Sequence, residues 1–362
     1  MHNDVIYLSK VIDHNMNENQ KHLISIVVPC YNEEAILENN INTVVHYLQS
    51  KMSDYEWEVV IVNDGSKDCT AQIADKLAAR ENNIRVIHHP VNLNLGLALQ
   101  TGFRHSRGDI IVVLDVDLSY SVEYIKQMVD KLIETSADIV LASPYMKGGK
   151  VTGVPFGRRV MSKWVNEFMR MAAQDKYHTY TSIVRAYRAD FIKSLNLKTR
   201  DYEVSPEIIY KAMILRSRII EIPAHLDWTE QNKYRGKRTS SIKILRGFFS
   251  GIMSGFIFRP YIFFLGIGCI LMALSLYELI WLLHDTLVDM KLARLQSPVP
   301  NDAFSFSLLR QWQKNPQTFI VGGITFVSAI QFLSLGFLSL QNKRYFEELF
   351  HLGTSFRKAR VS

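Results

Sequence analysis

Two stretches of this 362-residue chain are too long and too apolar to be ordinary core helices. Residues 261–283 read YIFFLGIGCILMALSLYELIWLL and carry a single formal charge, Glu278; residues 319–340 read FIVGGITFVSAIQFLSLGFLSL and carry none. At 1.5 Å per residue, about 20 residues cross the roughly 30 Å hydrocarbon core of a bilayer. Buried helices of soluble proteins are normally interrupted by charge well before that length. Both stretches are therefore expected to span a membrane, with Glu278 facing either the interface or the other helix.

Lys and Arg near the span ends set the expected orientation. Lys243, Arg246 and Arg259 precede the first span, and Lys343, Arg344, Arg357, Lys358 and Arg360 follow the second; the connecting loop has Lys291, Arg294, Arg310 and Lys314. The richer side predicts a multi-pass protein of two spans with the N-terminal part and both termini in the cytoplasm. Residues 1–22 are polar, Asn-rich and without an apolar centre, so they read as a flexible tail rather than a secretory signal. Residues 243–258, KILRGFFSGIMSGFIF, suit either an amphipathic juxtamembrane helix or the start of a longer span. The expected organisation is thus a tail (1–22), a cytoplasmic domain (23–242), a juxtamembrane segment (243–258), a two-helix membrane region (259–342) and a basic tail (343–362).

Composition narrows the classes further. With 48% hydrophobic and 21% charged residues the chain is not disordered, and 18 Gly and 10 Pro exclude a collagen-like repeat. Three cysteines form no disulfide framework and lack metal-ligand spacing, which fits a reducing compartment. The net charge of +7 suits nucleic acid, lipid headgroups or a phosphorylated substrate. Because the excess falls largely beside the membrane, the expected partners are lipid and phosphate, not nucleic acid.

Within 23–242, Ile- and Val-rich runs at 23–28, 58–62, 84–87, 110–114 and 139–142 alternate with helical patterns at 34–52, 68–80, 95–106 and 121–134. None of the runs alternates cleanly, as expected for strands buried on both faces. The β-α-β order predicts a mostly parallel, Rossmann-like α/β sheet with helices on both faces. Ligands of such sheets bind outside the carboxyl ends of the strands. Here those ends read PCYNEE (29–34), NDGS (63–66), HHP (88–90) and DVD (115–117). Neither a GxGxxG nor a GxxxxGK[ST] pattern is present.

Asp115 and Asp117 close the run IIVVLDVD, and strand alternation would point both carboxylates to one side. Two such carboxylates repel unless a cation holds them, and hard oxygen ligands suit Mg2+ or Mn2+ with substrate phosphates completing the shell. Capping of the helix near Ser121 would explain one carboxylate but not two. His88 and His89 read as strand-end residues facing solvent, and the segment 164–173 as a Met-rich core helix.

With PCYNE, VNDGS and DVDL in this order and spacing, residues 23–345 resemble the inverting family 2 glycosyltransferases of GT-A fold. The two spans that follow make the chain similar to the polyprenyl-phosphate branch, which includes dolichol-phosphate mannose synthases and undecaprenyl-phosphate glycosyltransferases. The resemblance implies a metal-dependent hexosyltransferase that moves a sugar from a UDP- or GDP-sugar to undecaprenyl or dolichyl phosphate. It implies that Pro29, Tyr31, Glu33 and Asp64 bind the nucleotide, that Asp115 and Asp117 hold Mg2+ or Mn2+, and that Arg185 of TSIVRAY is catalytic. RGKRTSSIK (235–243) and the RR-x-x-S start at Arg158 resemble family segments, implying acceptor-phosphate contacts from Arg158, Arg235, Lys237, Arg238 and Ser241. Ser119, Pro144 and Ile183 depart from the family pattern.

A polyprenyl phosphate is already an anion at neutral pH, so its attack requires cationic positioning and no strong general base. Attraction of the basic run to anionic headgroups is the alternative role for those residues. A processive polysaccharide synthase would need Q-x-x-R-W, which QNKYR (231–235) matches only superficially, and a silent scaffold has no use for both Asp115 and Asp117. Two lone spans also leave room for homo-oligomers through the membrane helices.

Overall fold

The computed structural model describes residues 21–172, 177–229, 260–293 and 302–361. The chain divides into two compact units, residues 1–254 with 351–362, and residues 255–350. Residues 1–20 of the predicted tail (1–22), the juxtamembrane segment 243–258 and the predicted acceptor-phosphate residues Arg235, Lys237, Arg238 and Ser241 lie outside the described residues.

The first unit is built on a seven-stranded sheet of order β3-β2-β1-β4-β7-β5-β8. Its strands are β1 (Leu23–Cys30), β2 (Glu56–Asn63), β3 (Ile84–His88), β4 (Ile110–Val113), β5 (Ile139–Ser143), β7 (Arg185–Arg188) and β8 (Ile219–Pro223). A short parallel pair, β6 (Lys150–Thr152) with β9 (His225–Asp227), stands apart. The sheet is parallel except for β7, which runs antiparallel between β4 and β5. Helices α1 (Leu37–Lys51), α2 (Thr70–Arg80), α3 (Leu95–His105) and α4 (Glu123–Thr135) connect the early strands.

The strands are apolar on both faces because both faces are covered. Ile24, Ile26 and Val28 share one buried cluster with Leu37 and Ile41 of α1 and Ile125 and Val129 of α4. Val27 points the other way, against Gly102 of α3, where an added Cβ would lie 2.3 Å from its Cγ1. On α4 the buried residues Ile125, Met128, Val129 and Leu132 follow helical spacing. The chain continues through α5 (Phe156–Ala172), α6 (Ala189–Ser194) and α7 (Val204–Ile214).

The second unit holds α8 (Pro260–Ala293), α9 (Ala303–Lys314) and most of α10 (Pro316–Val361). Within it, Pro260–Leu292 and Pro316–Gly353 are long and apolar enough to cross a membrane. The two pack closely where side chains are small. A Cβ on Gly268 would meet Leu333 Cγ at 2.8 Å, and one on Gly336 would meet Leu265 Cδ2 at 2.6 Å. The connection between the spans, read from sequence as a plain loop, contains α9.

At the sheet end away from the carboxyl termini of the strands lies a buried polar knot. Glu58 Oε1 accepts from Ser25 Oγ (2.6 Å) and from the Arg107 N–H (2.6 Å), and Glu58 Oε2 accepts from Arg85 Nη1 (3.0 Å). It joins β1, β2, β3 and the turn before β4. Burial acts to raise the Glu58 carboxyl, but the bonds from Ser25, Arg107 and Arg85 outweigh it and hold the group below its ordinary value of 4.5. A carboxyl depressed in the folded state contributes stability above its unfolded value, and that contribution is lost as pH falls through the folded value. Glu58→Gln is therefore expected to cost about 2 kcal/mol at pH 7 and to flatten the loss of stability below pH 4.5. Urea unfolding of both proteins between pH 6 and 3 checks this; parallel acid limbs would contradict it.

Candidate active site

The loops after β1 and β2 are laced together before any ligand is considered. Asn32 adopts φ 55°, donates its N–H to Ser66 Oγ (3.0 Å) and accepts from the Lys67 N–H (2.8 Å). The Glu33 N–H donates to Thr70 Oγ1, and Glu34 exchanges bonds with the 68–69 turn through Asp68 Oδ2 and the Cys69 N–H. The turn needs Gly65: its φ is +66°, and a Cβ there would sit 2.3 Å from the Val91 carbonyl carbon and 2.6 Å from the Asn92 nitrogen.

That close approach brings the loop after β3 onto Asp64. The Asp64 side chain is 5% exposed; its Oδ1 accepts from the Leu93 N–H (2.9 Å) and pairs with His89 Nδ1 (2.6 Å). His89 Nε2 in turn lies 3.0 Å from Thr101 Oγ1 on α3. His89 is thus a buried support for Asp64, not the solvent-facing residue the strand-end pattern suggested. Only its neighbour, His88, is exposed, bonding Asn63 and Asp75. Its signal lay in the sequence as a second histidine beyond the strand, but nothing in the spacing pairs it with Asp64.

Asp115 and Asp117 sit on a turn rather than on strand extension, because β4 ends at Val113. The Leu118 N–H closes the turn onto the Asp115 carbonyl (3.1 Å) with Leu118 at φ 48°, and the Ser119 N–H donates to Asp117 Oδ1 (3.1 Å). Both carboxylates are part-exposed, while Val116 between them is buried and pinned through its carbonyl by Asn40 Nδ2 (2.8 Å). The outcome matches strand alternation, but its cause is a turn held from α1.

Two adjoining cavities share this turn. One, of about 440 Å3, is lined by Pro29, Tyr31, Glu33 and Asp64; the other, of about 420 Å3, by Tyr120, Pro144, Tyr145, Arg158, Ser162 and the 181–183 segment. Leu95, Asp115, Asp117 and Tyr202 line both. The Arg158 guanidinium lies 5.2 Å over the Trp228 ring at the edge of the second cavity. Burial, with the Glu33, Asp68 and Asp64 carboxylates behind it, pushes the Cys30 thiol up to about 12, so it offers no thiolate nucleophile.

Arg185 requires a correction. It is fully buried and lines neither cavity; Nη1 donates to the Ser205 carbonyl (2.9 Å) and Nη2 to the Tyr180 carbonyl (2.7 Å). β7 lies between two strands of the sheet, so its first residue points into the interior. There it ties down the segment whose residues 181–183 line the second cavity. Glu221 secures the same segment from β8, accepting from the His178 and Thr179 N–H groups at 3.0 Å. The segment 164–173 is likewise not simply core: Val165 and Met169 are buried, but Trp164 is exposed and stacks on Phe168.

Among the described residues no group of three or more His, Cys, Asp or Glu side chains is arranged to hold an ion by itself. Two carboxylates at the junction of two cavities suit a hard divalent ion that takes its remaining ligands from a substrate's phosphates and water.

Residues 25–195 match the model of glycosyl transferase family 2. The match lies within the first unit, over the segment that carries β1 to β5 and both cavity-lining turns. The chain is 28% identical over 229 residues to dolichyl-phosphate beta-glucosyltransferase ALG5A of Trichomonas vaginalis, covering 61% of this chain and 70% of that protein. It is 30% identical over 203 residues to dolichol-phosphate mannosyltransferase of Pyrococcus furiosus, covering 55% of each. Glycosyltransferase AglD of Haloferax volcanii is 28% identical over 207 residues, which is 57% of this chain and 33% of that longer protein. Among solved structures, glucosyl-3-phosphoglycerate synthase from Mycobacterium tuberculosis superposes with a TM-score of 0.47 at 20% identity, covering 65% of this chain and 80% of that one.

Gly65→Ala is expected to cost about 2 kcal/mol or more, since it combines a disfavoured φ with a backbone clash at Val91. A melting temperature within a degree of the parent would contradict this account of the turn.

Proposed function

We propose that this protein is a family 2 glycosyltransferase that moves a sugar, with inversion, from a nucleotide-diphosphate sugar to a polyprenyl phosphate such as undecaprenyl or dolichyl phosphate. The observation that carries the reading is the Asp115–Asp117 turn at the junction of two cavities. A donor diphosphate at the carboxylates would place its base and ribose among Pro29, Tyr31, Glu33 and Asp64, and its sugar toward Arg158. The names of the Trichomonas and Pyrococcus relatives support the acceptor class.

In this reading Asp64, held rigid by His89 and Leu93, accepts hydrogen bonds from the base, and Tyr31 and Glu33 flank the base and ribose. Asp115 and Asp117 would hold Mg2+ or Mn2+, which when bound offsets charge on the diphosphate leaving group. The acceptor phosphate, an anion already, needs orientation and water exclusion on the opposite face of the sugar. Arg158 supplies a cation there, and Arg235, Lys237, Arg238 and Ser241 are candidates from outside the described residues. Arg185 acts as a positioning residue for the 181–183 wall.

A lipid acceptor calls for a membrane, and two features agree. Two helices are long and apolar enough to cross one. On α5, whose Arg158 and Ser162 face the cavity, Phe156, Val160 and Trp164 are exposed at four-residue spacing beside Arg159 and Lys163. Such an aromatic and basic ridge suits an anionic headgroup layer. The lysine and arginine bias around the spans supports a cytoplasmic catalytic domain with both termini on the same side.

The test is a panel of UDP- and GDP-sugars offered to membrane-embedded protein with polyprenyl phosphate, reading lipid-linked product. One donor is expected to give product only with Mg2+ or Mn2+. Asp117→Asn is expected to lower turnover at least 100-fold, on the order of 3 kcal/mol of transition-state stabilisation, in a folded protein. Near-normal turnover by that variant would overturn the metal assignment, and lack of product from every donor would overturn the proposed function.

A further inference from the structure

Helix α9 buries polar side chains and leaves its large apolar ones exposed. Its inward residues are polar: Ser307 is 1% and Gln311 3% exposed. Gln311 Nε2 donates to Asp289 Oδ2 of α8 at 2.6 Å, and Thr286 of α8 is fully buried nearby in sequence. Its exposed residues include four large apolar ones, Phe304 (42%), Phe306 (45%), Leu309 (57%) and Trp312 (44%), interleaved with Ser305, Arg310, Gln313 and Lys314. Phe304, Leu308 and Trp312 follow four-residue spacing, so they form one ridge, with Leu309 beside it. The last turns of α8 share the pattern, because Leu287, Val288 and Leu292 are exposed while Thr286 is not. A helix hairpin in water hides its apolar ridge and wets its polar one. This hairpin instead buries Thr286, Ser307 and Gln311 and exposes its aromatic and aliphatic side chains among Arg and Lys.

The arrangement is continuous with the helices read as membrane spans. Exposed apolar side chains on α8 run from Ile262 to Leu292, about 45 Å at 1.5 Å per residue. That exceeds the roughly 30 Å hydrocarbon layer and equals the 40–45 Å of a bilayer with its headgroup layers. Trp312 also stands edge-on to Phe319, centroids 5.1 Å apart, joining α9 to the start of the apolar run of α10. Asp302 caps the first turn of α9, accepting from the Phe304 and Ser305 N–H groups, so the helix begins as a formed element.

We propose that α9 and the last turns of α8 are embedded in the interfacial layer of the leaflet farther from the basic flanks, with Phe304, Leu309 and Trp312 against lipid. The proposal rests on the membrane-spanning reading of α8 and α10. The occupant is lipid rather than a second copy because the exposed apolar side chains continue those of the spanning run of α8 and are interleaved with His284 and Lys291, the mixture a headgroup layer takes. Aromatic rings beside Arg310 and Lys314 also match what a headgroup layer accepts.

The test places single nitroxide labels at Leu309→Cys and, separately, Ile270→Cys in full-length protein with Cys69→Ser and Cys269→Ala. Samples are reconstituted in phosphatidylcholine–phosphatidylglycerol vesicles, and power saturation compares collision with oxygen and with nickel-EDDA. Ile270, exposed on α8 within the spanning run, is expected to favour oxygen strongly, and Leu309 to favour it severalfold. Oxygen preference at Ile270 with water-like collision at Leu309 would overturn the interfacial placement alone. Low collision with both reagents at Leu309, together with oxidative dimers through that cysteine, would overturn it in favour of a second copy. Water-like collision at Ile270 would overturn the spanning reading and the proposal with it.

Discussion

The candidate site depends on one carboxylate that is spoken for twice. Asp64 Oδ1 takes the Leu93 N–H and pairs with His89, fixing the loop after β3 against the end of β2. Gly65 makes the approach possible, since any Cβ would strike Val91. With that loop fixed, Asn92, Asn94 and Leu95 complete the wall of the cavity that Pro29, Tyr31 and Glu33 begin. Because Asp64 is buried and bonded, it presents a rigid edge rather than a mobile charge, which is what discrimination of a flat polar ring requires.

The same logic of fixed walls around a charged junction extends across the sheet. Asp115 and Asp117 ride on a turn pinned by Asn40, and the wall beyond them is pinned by Arg185 and Glu221 from the interior. Interior polar groups here act on backbone segments, and the exposed ones face the cavities. A diphosphate arriving at the junction would meet carboxylates that cannot relax away from each other, so a divalent ion is the natural companion of the substrate. In the proposed function the membrane would enter through chemistry as well as anchorage. A lipid-linked phosphate is confined to a surface, and the exposed aromatic and basic ridge of α5 lies on the helix that lends Arg158 and Ser162 to the cavity.

Much of this was legible in the sequence, for physical reasons. Strands β1 to β5 read as largely apolar runs because helices cover both faces, and their polar carboxyl ends pointed to a ligand site. The carboxylate pair was legible because two adjacent acids after a buried run have no packing use. Arg185 was not: a motif places it near the site, but only the sheet order, which inserts β7 between β4 and β5, shows that it points inward. His89 was hidden because its partner lies 25 residues away across a turn whose geometry Gly65 sets. Helix α9 escaped notice because it buries polar side chains and exposes its large apolar ones; a pattern read for water gives no helix with its apolar ridge outside.

The central claim is that two carboxylates and a nucleoside diphosphate complete one another's ion site. Calorimetric titration of UDP and GDP into the purified full-length protein, with and without Mn2+, tests it directly. At least one diphosphate is expected to bind ten-fold or more tightly with the ion, about 1.4 kcal/mol. Equal affinity for both nucleotides in the presence and absence of the ion would contradict the account.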